Sequence, residues 1–336
     1  MSPAWIGDTI MTQPLLSLLK AAEPETAIDV LAPAWSAPLL GRMPEVARVI
    51  PNPFAHGQFR WRARRALGRS LRATGYRCAY VLPNSWKSAL VPFFAGIPAR
   101  IGYHGEARWG LLNRRQRLDT VRHPQLVQRY CALLGPLPAE VPRPHLLSSL
   151  TQQQAARAAL GLPAAARPVV FCPGAEYGPA KRWPEAHVAA LARELADKVD
   201  AGGTAPVWLV GSPKDMAAGE RIAALSGGAA LNLCGRTQLD QAIDLIAGAR
   251  AVVSNDSGLM HVAAALDRPL VALYGSSDPG YTPPLSPRAQ IVSRQLPCSP
   301  CFQRECPLGH LDCLQGLAVA RVRDVLLPML AAEAAT

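Results

Sequence analysis

Asn255-Asp256-Ser257-Gly258 is a polar interruption in an apolar run, AVVSNDSGLMHVAAALDRPLVALYG, from Ala251 to Gly275. A buried strand that enters a Gly-containing turn and opens a helix leaves backbone N–H groups unpaired and pointing outward. With the positive end of the helix dipole, those donors suit a phosphate or diphosphate. Asp256 stands where a carboxylate can cap the helix and also reach a ligand hydroxyl. A capped strand-turn-helix corner without a ligand explains the same letters equally well. Lys181, in Pro179-Ala180-Lys181-Arg182-Trp183-Pro184, precedes a helix and would neutralise a diphosphate leaving group from across that turn. Taken alone, a loop lysine reads more readily as surface. Asp8 is the acid of a third turn, Trp5-Ile6-Gly7-Asp8. Apolar neighbours push a carboxylate up towards use as a base; on these residues alone, an N-cap of a helix from Thr9 is the preferred reading.

The elements that must hold these turns alternate. In the first half the pattern predicts a helix over Thr9–Ala22, a strand Ala27–Ala32, a short helix Ala34–Gly41 and a strand Val46–Ile50. Strands Cys78–Leu82 and Arg100–Tyr103 follow, with Pro83–Ser88 opening a helix under a serine cap. Arg108–Arg122 is read as a basic, solvent-facing loop. A Pro/Ala-rich junction near 136–167 carries one local helix, Gln152–Leu160. The second half predicts strands Val169–Cys172, Pro206–Val210, Leu231–Leu233, Ala251–Ser254 and Leu270–Tyr274. Between them fall helices Pro184–Asp197, Met216–Ala224, Leu239–Ala247 and Leu259–Leu266. Such alternation argues for parallel sheets covered by helices, in two domains over 1–150 and 165–318 facing across a cleft. Ligands of open α/β sheets gather at the carboxyl ends of the strands, where the loops of Asp8, Lys181 and Asp256 all fall. An open sheet normally begins with a buried strand before its first glycine turn, yet only Met1 to Ala4 precede Trp5. A start assigned too late in the gene is the expectation drawn from that.

The chain has 336 residues, 18% charged and 49% hydrophobic, with a formal net charge of +11, which calls for an acidic partner. No apolar run reaches the ~18 residues that a membrane span needs, and no signal-like segment opens the chain, so a cytoplasmic protein is expected. Seven arginines lie between Arg60 and Arg77. Arg62, Arg65, Arg69 and Arg72 recur at helical spacing, and too few acids are interleaved to neutralise that face. Cys78, Cys131, Cys172 and Cys234 read as buried, reduced core residues. Cys298, Cys301, Cys306 and Cys313, with His310 among them, have the crowding of a structural thiolate site for zinc or iron, although the spacing fits no standard motif; four free thiols remain the other reading.

SPAWIGD, PNSWKSALVPFFAGIPARIGY, CPGAEYGPAKRWP and SNDSGLMHVAAALDRPLVALYG together resemble the family 9 glycosyltransferases, in order, from Ser2 to about Val325. The resemblance implies an α/β GT-B enzyme with two Rossmann-like domains, the first for the acceptor and the second for ADP-heptose. It implies inverting transfer of heptose without a metal or other catalytic cofactor, onto the first heptose of heptosyl-Kdo₂-lipid A. Asp8 would be the base and Lys181 the cation at the diphosphate. Asp256, Ser257, Gly258 and His261 would bind the donor, with Glu176 and Thr237 as weaker candidates. Arg62, Arg65, Asn84, Ser85 and Lys87 would suit an acceptor bearing carboxylates and phosphates, and the arginine face would also suit an anionic inner-membrane surface. The last helix, within 319–336, would pack back on the first domain, and the Cys-rich segment 297–314 would be an insertion with a structural role. A related heptosyltransferase acting on Kdo or on a protein, a sugar-nucleotide epimerase, and a basic nucleic-acid-binding protein are the rivals. The last leaves Asp8, Lys181 and the 255–261 turn without a shared purpose, so no nucleic-acid partner is expected.

Overall fold

The computed structural model describes the chain except for His56, Asp197, residues 199–205 and residues 335–336. It divides into two compact units, Met1–Pro142 and Arg143–Thr336.

The first unit holds helices α1 (Ile6–Met11) and α2 (Gln13–Ala22), strand β1 (Ile28–Pro33), the short α3 (Ala37–Leu40), β2 (Val46–Asn52) and α4 (Trp61–Ser70). β3 (Cys78–Tyr80), α5 (Leu90–Phe94), β4 (Ala99–Tyr103), β5 (Arg114–Gln116) and α6 (Leu126–Cys131) complete it. β1 and β2 pair in parallel, and β3, β4 and β5 form a second parallel sheet. Met1 and Ser2 run between them: Ser2 N–H donates to Leu31 O (3.0 Å), and the Met1 amine to Tyr80 O (3.0 Å). Two expectations need correcting. Arg108–Arg122 is not simply a solvent-facing loop, because it supplies β5 and its first residue, Arg108, is 1% exposed. A guanidinium tolerates such burial only where carbonyls take its donors, and Arg108 has Pro83 O at 2.8 Å and Tyr103 O. Cys78, at the start of a short three-residue strand, is exposed rather than core.

The second unit runs α7 (Leu150–Ala159), β6 (Val169–Cys172), α8 (Glu185–Leu195), β7 (Val207–Leu209), α9 (Met216–Leu225), β8 (Ala230–Asn232) and α10 (Leu239–Ala247). It continues through β9 (Ala251–Asn255), α11 (Gly258–Ala265), β10 (Leu270–Leu273), β11 (Ala289–Val292), α12 (Asp312–Gln315) and α13 (Val319–Ala334). One six-stranded parallel sheet, in the order β11-β10-β9-β6-β7-β8, carries them. VVFC, VWL, AVVSN and LVAL are buried at every position, as strands covered on both faces must be. The helix predicted to end at Asp197 ends at Leu195, and its expected last residue lies outside the described ones.

α13 contributes to the second unit's own core. Val322, Leu326 and Leu330 recur on one helical face and are 0%, 0% and 5% exposed. They join Val188, Leu191 and Leu195 of α8 in the second unit's own core, and α13 packs on α8, β9, β10 and β11.

Candidate active site

In the second unit the candidate donor site is built at the carboxyl edge of the sheet. β9 runs out into Asn255-Asp256, Ser257 takes the N-cap position in extended conformation, and Gly258 begins α11. The Ser257 side chain makes no capping bond, so the first amides of this helix remain available as donors. Small residues let α11 lie close on the sheet: Ala263, Ala264 and Ala265 are all at most 5% exposed.

Lys181 comes from the loop after the neighbouring strand β6 and is fixed from behind by Trp183. That indole is 2% exposed, stacks at 6.0 Å on Phe171 of β6 and donates its N–H to Leu317 O (2.9 Å). Asn255 ties the two loops together: its Oδ1 accepts the Trp183 N–H (3.1 Å), and its Nδ2 donates to Pro173 O (2.7 Å). Lys181 Nζ then meets Asp256 Oδ2 at 2.5 Å, with side-chain exposures of 17% and 5%. Ser277, just beyond β10, donates its hydroxyl to the same oxygen. His261, one turn into α11, is buried against this group, and burial pushes its imidazole down to about 4. Asp256 opposes that shift and Lys181 adds to it, so the ring is neutral at physiological pH.

The spacing therefore brought Lys181, Asp256 and His261 together, with Ser257 and Gly258 at the helix tip. Among the described residues, the two weaker donor candidates are not hydrogen-bond partners of the ion pair's carboxylate and ammonium, which bond each other and Ser277. Glu176 is exposed and pairs with Lys214, and Thr237 is half-buried in the loop between β8 and α10. Asn255, part of the turn the sequence pointed to, was given no role of its own, and Ser277 was not singled out; one ends a strand and the other follows one at the sheet's ligand-binding edge, the signal that would have found them.

In the first unit, Asp8 lies on the first turn of α1, half-buried, with Trp5 rather than Asp8 at the N-cap. The preferred cap reading of Asp8 is thus replaced by a position inside the helix. Arg62 and Arg65 are exposed on α4 and share a shallow groove with Trp61, Ala66 and Arg69. Arg64, between them in sequence, points inward and is 4% exposed. It donates to Phe59 O (2.7 Å), Gln58 O (3.0 Å) and Lys87 O (3.3 Å), which joins the arginine helix to the Asn84–Ser88 turn. Asn84 accepts from Arg108 through its side chain (3.3 Å). Ser85 makes no side-chain cap; Glu106 instead accepts the Trp86 N–H (3.0 Å). Two segments read separately in sequence thus form one surface, held by two buried arginines.

Cys298, Cys301, Cys306 and Cys313 line one small cavity with Ala180, Gly275 and Ser276. The expected thiolate metal site is not what this arrangement offers: among the described residues no three Cys, His, Asp or Glu side chains are grouped to hold an ion. The Cys306 sulfur is engaged by its own loop: it accepts the Leu311 N–H (3.4 Å), and that amide, with smaller help from the loop's other backbone amides, holds its thiol below the usual range. Cys313 is pulled towards the core, and burial pushes its thiol up. The segment does brace the donor loop. Arg304 O accepts the Ala180 N–H (3.0 Å), Phe302 O accepts the Tyr177 hydroxyl (2.7 Å), and a Cβ on Gly178 would lie 2.4 Å from Arg304 O.

Residues 64–312 match the glycosyltransferase family 9 (heptosyltransferase) profile. Lipopolysaccharide heptosyltransferase 2 of Escherichia coli K12 is 50% identical over 306 residues, covering 87% of this chain and 86% of that protein. Lipooligosaccharide heptosyltransferase 2 of Haemophilus ducreyi is 48% identical over 309 residues, covering 87% of each. The solved structure of the E. coli ADP-heptose LPS heptosyltransferase II superposes with a TM-score of 0.87 at 45% identity, covering 99% of this chain and 98% of that one. The α/β, GT-B expectation is borne out by that likeness and by the parallel sheets. By profile, by sequence and by structure, the chain belongs to glycosyltransferase family 9, the heptosyltransferases.

Proposed function

We propose that this enzyme moves heptose, with inversion, from ADP-heptose to the first heptose of heptosyl-Kdo₂-lipid A in the lipopolysaccharide inner core. On this reading it works in the cytoplasm, at the inner face of the inner membrane. The observation that carries it is the Lys181–Asp256 pair beside the open tip of α11. In the free protein the lysine is neutralised by Asp256. An arriving diphosphate competes for the ammonium, and Ser277 keeps a hydrogen bond on the carboxylate when Lys181 turns to the ligand. Charge appears on the diphosphate as the sugar–oxygen bond breaks; Lys181 and the α11 amides stabilise it there. Asp256 and neutral His261 then have acceptor lone pairs for donor hydroxyls. Asp8 takes the proton of the acceptor hydroxyl as it attacks the anomeric carbon from the face opposite the leaving group, the geometry inversion needs. Arg62, Arg65, Asn84, Ser85 and Lys87 hold the acidic groups of the acceptor. Glu176 and Thr237 flank the nucleotide.

The names of the relatives support heptose transfer in lipopolysaccharide synthesis, and the name of the E. coli enzyme, an ADP-heptose LPS heptosyltransferase, supports ADP-heptose as donor. The test is transfer from ADP-heptose to purified heptosyl-Kdo₂-lipid A. Asp8→Ala should lose ~10²–10⁴ in kcat, the usual contribution of a positioned base. Lys181→Ala should lose kcat with a smaller change in acceptor KM. Near-normal kcat in both variants would remove the mechanism, and turnover only with a Kdo-terminated or protein acceptor would redirect the acceptor assignment.

A further inference from the structure

Residues 46–105 contain ten Lys or Arg residues and no Asp or Glu. From that stretch the first unit builds a row of touching aromatic rings. Trp86 lies 5.0 Å from Phe59, Phe59 5.8 Å from Trp61, Trp61 4.9 Å from Phe94 in a T-shaped contact, and Phe94 5.5 Å from Phe93. Such rings normally sink into a core, yet Phe59, Trp61 and Phe93 are 43%, 42% and 39% exposed. Scattered exposed aromatics need no explanation, whereas a contiguous row marks an interaction surface. The row is held firmly. Arg64 pins the carbonyls at Gln58, Phe59 and Lys87, and Arg72 donates to Phe94 O (2.9 Å). Exposed Arg62, Arg65 and Arg69 line the groove beside Trp61.

We propose that this ridge seats the first unit on an anionic phospholipid surface, the rings entering the headgroup–acyl boundary and Arg69 of α4 lying among the phosphates. The inference rests on the reading above that the acceptor is anchored in a membrane. Indole and phenyl rings flanked by arginines are the composition that settles at a bilayer interface. No acid occurs over these sixty residues, and the Glu106 carboxylate that reaches the row is engaged by the Trp86 N–H (3.0 Å), so ten cations against one nearby acid make the surface complementary to a plane of negative charge. The rings also spend their faces and edges on one another, so none is open on both sides to stack a base, which disfavours single-stranded nucleic acid.

The full-length chain would be sedimented with phosphatidylcholine vesicles with and without phosphatidylglycerol. Binding should require the anionic lipid and weaken with salt. Phe59→Ser/Trp61→Ser should lower vesicle affinity by about tenfold or more, and Arg69→Gln by about fivefold, the weight of one cation near such a surface. Both should keep wild-type kcat/KM on an acyl-free acceptor in solution. Brominated lipid should quench wild-type tryptophan fluorescence more strongly than that of Trp61→Phe. Undiminished vesicle binding by the double aromatic variant would overturn the proposal. An equal loss of activity on the acyl-free acceptor would make the ridge an acceptor subsite, and retention by RNA but not by vesicles would reassign it to nucleic acid. Vesicle binding is read without donor or turnover, so it stands or falls separately from the transfer assay.

Discussion

The two units treat charge in opposite ways. At the carboxyl edge of the six-stranded sheet, the cation of the candidate site is matched inside the fold: Lys181 meets Asp256, and Ser277 and Asn255 hold the turn in place. On α4 the exposed cations are left for something else, and Arg64 and Arg108, which do go inside, donate to carbonyl and amide oxygens rather than to acids. Charge paired internally is stored as stability until a ligand exchanges for it. Charge left unpaired costs little in stability and is expressed as binding and salt dependence. Substitutions in the two regions should therefore move different observables.

The largest effect should come from splitting the pair. Lys181→Met or Asp256→Leu alone strands the partner in a mostly dry site, which should cost on the order of 3 kcal/mol. The double variant should recover much of that loss while remaining inactive. Urea melts of the four proteins give the coupling directly. Additive single losses would mean that the pair stores nothing, and the contrast between the units would fail.

Next in size is the pH response of His261. Burial holds its imidazole at about 4 against an ordinary 6.5. In that window the unfolded chain binds a proton that the folded chain refuses, so stability falls as pH drops through 6.5 towards 4. The full contribution is present above 6.5. The depression corresponds to about 3 kcal/mol once the window is crossed. Other groups facing the ring, Asp256 and Lys181, act in opposite directions on it. His261→Gln should flatten the stability slope between pH 6.5 and 4 relative to wild type; parallel slopes would show that the ring is not held neutral.

Much of this donor edge was legible in the letters, for a physical reason. Continuous apolar runs such as VVFC and LVAL have one reading when a parallel sheet is covered on both faces, and the polar turns that interrupt them fall at its carboxyl edge. β9, α10 and β6 consequently lie where the pattern put them, within a residue. What the letters did not carry is direction. Arg62, Arg64 and Arg65 look alike in sequence, yet Arg64 is interior because carbonyls from two loops converge on it, a tertiary fact. Arg108 was lost in the same way. Ser277 was hidden because a serine after a strand gains meaning only when an acid from the next strand lies beside it. The Cys-rich segment stayed open between a metal site and four free thiols because spacing alone cannot say whether sulfurs that share a cavity are grouped to hold an ion; here the cysteines are free, and Cys306 accepts an amide of its own loop.

Within the first unit, the same contrast can be drawn between neighbours on one helix. Arg64→Leu leaves carbonyls at Gln58, Phe59 and Lys87 without their donor and should cost about 1–3 kcal/mol. Arg64→Lys should restore only part of it, because an ammonium lacks the planar fork that reaches separate carbonyls. Arg69, five residues on, is exposed and lies in the groove beside Trp61. Arg69→Gln should change stability by no more than about 0.5 kcal/mol, the usual range for a surface site. Relief of like-charge repulsion among the α4 arginines could even make the sign stabilising at low salt. Denaturant melts at low and high salt distinguish the two: the Arg64 loss should persist in salt, and the small Arg69 effect should vanish. An Arg69→Gln loss as large as that of Arg64→Leu would mean that α4's exposed cations also hold the fold together, and that the first unit does not keep its charge for a partner.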